Sequence, residues 1–291
     1  MKPSATIPLS ATALVPSDVN YSEDSNWSSQ TVYPSVNVTV NNGATVNFDQ
    51  EQTVKGVSIN NGTLDMSSGQ TLVVTESLQI ESGGEINLAS GTLTSFDDTT
   101  VIKGALNIDG GTFYRNMDGV STKISGSGLI HVASGSMSYG GGAPTNILIL
   151  NTNMLITGGI VDLSGQIYLG DGVQRTMEIV GTAPSVSISR FNGGPGGESG
   201  TFKFVLSEAG VSKVNVSGWM NLDSTSLVVD GSSYTGGAGT LVLVDSANLV
   251  GFIPEAKITI TGFAEKGLMA TVVQDETNGK DWVQLVITET P

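Results

Sequence analysis

"GEINLASG", residues 84–91, has a glycine at each end, apolar residues at its third and fifth places and a polar residue between them. The same frame recurs as "GTLDMSSG" at 62–69, "GALNIDGG" at 104–111 and "GLIHVASG" at 128–135, with starts 22, 20 and 24 residues apart. Alternation at period two is a strand pattern, so Leu64 and Met66, Ile86 and Leu88, Leu106 and Ile108, and Ile130 and Val132 point inward. Asp65, Asn87, Asn107 and His131 then point outward in successive repeats, and in a shorter fifth frame, "GIVDLSG" at 159–165, Asp162 takes that place. A second short strand follows each closing glycine, as at 71–74, 92–94 and 112–114. A third precedes the opening glycine, as in "SLQIES" 77–82 and "TTVIKG" 99–104.

Three short strands per repeat of this length predict an all-β fold, a parallel β-helix. One coil cannot bury its own apolar columns, so coils stack at about 4.8 Å. Parallel crossovers favour right-handed winding. The glycines are expected at corners, where positive φ is cheap. Residues 31–200 leave room for roughly seven or eight coils. Residues 1–30 read as an N-terminal extension and cap, with Trp27 and Tyr33 over the first coil and Val36, Val38 and Val40 alternating in its opening strand. Beyond "FNGGPGGESG" (191–200) the strands lengthen and the glycine frame is lost, so 201–291 reads as wider coils or a β-rich C-terminal cap. Asn278-Gly279, between two alternating strands, predicts a hairpin.

Composition narrows the function. Twelve Lys and Arg against 27 Asp and Glu give a net charge of −15, which repels phosphate backbones and anionic membranes. Nucleic acid is therefore not an expected partner. With no cysteine and one histidine, disulfides, thiolate metal sites and multi-histidine sites within the chain are excluded. No apolar run is long enough for a spanning helix. The N-terminus lacks the apolar core of a secretory signal. The expected location is extracellular or cell-surface, with the sequence starting after a removed signal. No cofactor is expected; the acidic balance admits a structural calcium ion, but neither an EF-hand loop nor a tandem nonapeptide occurs.

The opening "NW…YP", the valine-alternating strand, "NNGATVNF" and "VSINNGTLDM", together with "GTLVLVDSANLVGF" and "DWVQLVITETP" near the C-terminus, resemble β-helical passenger-type regions of bacterial surface and secreted proteins, including autotransporter-like ones. The opening part of the resemblance spans about residues 20–165, and the resemblance implies an adhesive or structural module, although such scaffolds also carry enzymes.

Three functions follow as expectations. The first is a non-catalytic module whose outward column Asp65, Asn87, Asn107 and His131 meets a polysaccharide or a surface protein, since carboxamides and carboxylates match sugar hydroxyls. The second is a lyase or glycosidase on the same scaffold, drawing on Tyr114, Arg115, Asp97, Asp98 and His131. β-Helical pectin hydrolases also use paired aspartates, but here the accompanying N-T-D, G-H-G and R-I-K elements are absent or misordered. A lyase needs clustered cations, and Arg115, Arg175 and Arg190 with Lys103 or Lys123 are the candidates. The third is a virion-fibre module that forms homo-oligomers, which ladders of exposed apolar residues would favour.

Overall fold

The computed structural model describes residues 10–12, 18–20, 37–96, 99–116, 121–140, 146–193, 200–275 and 281–291. Strands bend at corners and stack on the next coil in three parallel sheets, forming a right-handed β-helix. Sheet 1 runs through Asn37–Asn41, 56–60, 77–80, Thr99–Ile102, 121–125 and 147–150, then on to 166–169 and beyond. Sheet 2 runs through Thr45–Asn47, Thr63–Asp65, Glu85–Leu88, Ala105–Ile108, 129–132, 153–156, Thr176–Val180, Thr201–Val205, Ser226–Asp230 and Ile258–Thr261. Sheet 3 runs through 52–54, 71–74, Thr92–Ser95, Thr112–Asn116, 136–139, 160–163, 185–188, 214–216 and 244–246.

The two apolar columns of the glycine frame are the inward columns of sheet 2. Leu64, Ile86, Leu106, Ile130 and Met154 stand rung over rung, as do Leu88, Ile108, Val132 and Ile156, each at most 1% exposed. Burying one such side chain contributes about 1.5–3 kcal/mol. Both columns pass through residue 200 without a break, in Met177–Phe202–Leu227 and Ile179–Phe204–Val229. Past residue 200 the sheet 2 columns thus continue into wider coils. The expected antiparallel closure comes later: Asp281–Glu289 pairs with Gly239–Gly251 on one side and Leu268–Asp275 on the other. The second pair is the hairpin predicted around Asn278-Gly279, whose turn lies outside the described residues, as do Trp27, Tyr33 and Val36.

The frame glycines sit at corners for a reason other than the expected one. Of the eight that open and close the four frames, only Gly69 has a left-handed φ, at +75°. Most of the rest are needed because backbones pass too close for a side chain. A Cβ on Gly104 would stand 2.0 Å from the Gly84 carbonyl oxygen, and one on Gly128 would stand 2.1 Å from that of Gly104. At the second corner a Cβ on Gly111 would meet the Gly91 oxygen at 2.5 Å, and one on Gly135 the Gly111 oxygen at 2.1 Å. Stacked glycines let each corner lie directly on the one below.

Around Arg115 the core is polar. Arg115 follows Phe113 on the inward side of its strand and is fully buried, its Nη1 donating to Ser95 Oγ at 2.9 Å and Thr100 Oγ1 at 2.7 Å. Tyr139 is stacked on Arg115 one rung further and is also buried. Burial pushes its phenol above the usual range, while the Thr122 hydroxyl and the Arg115 charge pull the other way.

Candidate functional site

Asp65, Asn87, Asn107 and His131 are direct neighbours on the outer face of sheet 2, in the expected order. Their strands alternate inward and outward, and consecutive coils keep register, so the polar residue of each frame lands on that of the next. Three of its four members are engaged in side-chain hydrogen bonds. Asn107 Nδ2 donates to Asn87 Oδ1 at 2.9 Å and to Glu85 Oε1 at 2.5 Å. His131 Nε2 shares a hydrogen bond of 3.0 Å with Thr157 Oγ1. Leu155 interrupts the column on the rung after His131, and beyond it Glu178 and Lys203 form an ion pair at 3.0 Å.

Asp162 does not join this column. Gly159 stands over Gly135, a closing glycine, with its absent Cβ 2.3 Å from the Gly135 oxygen. The fifth frame is therefore displaced to the following corner, and its strand belongs to sheet 3. There Asp162 belongs to a second outward column: Tyr114, Ser138, Asp162, Ser187, Asn215, Asp245 and Trp282, each opposite the next. The last step is antiparallel and the others parallel. Asp162 and Asn215 are exposed, and the others are half-buried. Ser187 Oγ donates to Asp162 Oδ1 at 2.9 Å, and Lys213 pairs with Asp245 at 2.5 Å. A groove of about 370 Å³ follows four of these rungs to the corner with sheet 1, lined by Asp162, Ser187, Ser189, Asn215, Ser217 and Asp245 among others. This column is not part of the glycine frame, but a different repeat marks it: Val-Asp-Leu-Ser at 161–164, Val-Ser-Ile-Ser at 186–189 and Val-Asn-Val-Ser at 214–217.

The residues considered for catalysis are dispersed. Tyr114 faces outward on sheet 3, His131 faces outward on sheet 2, and Arg115 is sealed in the core between them. Arg115 therefore cannot touch an external polysaccharide, which corrects its expected place in a surface groove. The physical reason is alternation: a residue two places after an inward Phe113 also points inward. Asp97 and Asp98 lie outside the described residues. The cations do not gather either. Arg175 binds the Asn151 and Gln174 carbonyls at a corner, Arg190 lies beside Gln166 on sheet 1, Lys103 pairs with Glu81 at 2.7 Å, and Lys123 lies on sheet 1.

Among the described residues no group of three or more His, Asp or Glu side chains is arranged to hold a metal ion, and no helix is long and apolar enough to cross a membrane. A larger groove of about 550 Å³ lies at the C-terminal end, where Ile258 and Ile260 meet Ala270, Val272 and Gln274. Ile258 and Ile260 continue the sheet 2 core columns on the last described rung, and among the described residues no further coil covers them. Exposed Val250, Phe252, Met269 and Val273 also lie in this C-terminal region rather than in a ladder along one face. The chain matches no protein-family model and no curated protein.

Proposed function

We propose that the chain is a non-catalytic display module of the bacterial surface or secreted β-helical type, presenting a polar face to carbohydrate. The observation that carries this reading is register. Outward polar side chains recur on consecutive rungs over distances longer than a single side-chain cluster, on a scaffold whose parallel hydrogen bonding and packed aliphatic columns hold them rigidly. Such a row suits a ligand that is itself a linear repeat, because binding costs less ordering entropy when the protein side is fixed beforehand. Dispersal of Tyr114, Arg115 and His131 over two faces and the core argues against the lyase or glycosidase alternative.

The test is a panel of neutral and acidic polysaccharides, scored for gel retardation of the purified protein, new reducing ends and unsaturated-product absorbance. Retardation without product is the expected result. Product formation would overturn the non-catalytic reading, and no retardation by any member of the panel would overturn the carbohydrate one.

A further inference from the structure

We infer that the outer column of sheet 3 between Tyr114 and Trp282 is the ligand track, and that it takes an uncharged linear oligosaccharide lying along the solenoid axis. This deepens the carbohydrate reading above and rests on it. Tyr114 and Trp282 are six rung steps apart, a span of about 29 Å at the spacing of neighbouring strands. Every position between them is polar, whereas the sheet 2 column is cut by Leu155. Both ends carry a half-exposed aromatic ring, which offers an apolar face to sugar C–H groups and a polar edge to solvent. Ile160, 54% exposed on the same face two residues before Asp162, adds an apolar contact in the middle.

The chemistry of the groove selects the ligand. Hydroxyls and an amide both donate and accept, and the carboxylates of Asp162 and Asp245 accept strongly, so a polyol can be bonded from both directions. The side chains of Asn215, Ser189 and Ser217 hold no hydrogen bonds among the described residues, in contrast to the self-bonded amides of sheet 2. Lys213, beside the track, is already paired with Asp245. Two carboxylates on a chain of net charge −15 therefore disfavour uronates and sialylated glycans.

The experiment is calorimetry of the full chain with neutral gluco-, manno- and galacto-oligosaccharides of increasing length and with an oligogalacturonate. Affinity for at least one neutral series is expected to rise with length up to about six sugars, if one sugar advances by about one rung. Trp282→Ala and Asn215→Lys are each expected to weaken that binding by about tenfold or more, as truncating an aromatic contact or blocking a central one does. Trp282→Phe should restore much of it, and Asn87→Ala on sheet 2 should leave it unchanged. Asn215 is exposed, so Asn215→Lys keeps the inference testable even if Trp282→Ala fails to fold. No binding of any neutral series, length-independent binding, or preference for the oligogalacturonate would overturn the inference. Binding lost in Asn87→Ala but kept in Asn215→Lys would overturn the sheet 3 track while leaving the carbohydrate reading standing.

Discussion

Replacing Gly104 by alanine tests why the corners are glycine. The new Cβ would stand 2.0 Å from the Gly84 carbonyl oxygen and 2.6 Å from that of Glu81. Ordinary contact begins near 3.4 Å, so the two coils must part by about 1.4 Å, and backbone rather than a flexible side chain has to move. Overpacking of this kind costs about 1–3 kcal/mol. The displaced oxygen also accepts from Ala105 N at 3.0 Å, a bond contributing about 1 kcal/mol more. A loss of about 3 kcal/mol is expected, measured by urea unfolding followed by far-ultraviolet circular dichroism. Two other glycines separate the causes. Gly69 has φ +75° and nothing within 4 Å of its would-be Cβ, so Gly69→Ala isolates left-handed strain, about 1–2 kcal/mol. Gly239 has neither constraint, and Gly239→Ala should be neutral or stabilising by up to about 1 kcal/mol. If Gly69→Ala costs as much as Gly104→Ala, close approach of the coils is not what the corner glycines provide.

Arg115→Ala should destabilise by about 3–5 kcal/mol, since it opens a buried polar network, yet leave the glycan affinity of the folded protein intact; thermal unfolding and gel retardation together check this. Tyr139 keeps its proton more tightly folded than unfolded, so its contribution is intact below its usual value of 10.0 and falls as pH rises past it. Urea midpoints at about pH 9 and about pH 11 should therefore fall less in Tyr139→Phe than in the parent protein. Because the chain has no cysteine, register is testable by cross-linking. Asn87→Cys with Asn107→Cys, on adjacent rungs about 4.8 Å apart, should oxidise to a disulfide, whereas Asn87→Cys with His131→Cys, two rungs apart, should not.

Much of the solenoid is legible in the sequence because coil register is written into it twice, in the glycines and in the apolar pairs between them. Leu64 to Val132 could be assigned to one face from spacing alone, and the Asp65–Asn87–Asn107–His131 column followed. The fifth frame misleads because both corners demand glycine for the same steric reason, so "GIVDLSG" fits either and only coil stacking shows which. Arg115 was legible in principle, since Phe113 fixes the alternation. Its charge argues for solvent, and a hydroxyl-lined core able to receive it is visible only when Ser95 and Thr100 are seen on neighbouring strands. The sheet 3 column is hard to read for a different reason. Its Val-x-aliphatic-Ser strands start 25 and 28 residues apart, and its last member, Trp282, arrives on an antiparallel strand that no repeat could announce.

The most direct test of ligand display along the rungs is a titration of isotope-labelled protein with the best-binding neutral oligosaccharide, followed residue by residue by nuclear magnetic resonance. Shifts are predicted along Ser138, Asp162, Ser187, Asn215 and Asp245 and at the Trp282 indole, with Asn87 and Asn107 unmoved. Shifts confined to sheet 2 or to the C-terminal groove around Ile258 and Ile260, or none at saturating oligosaccharide, would contradict it.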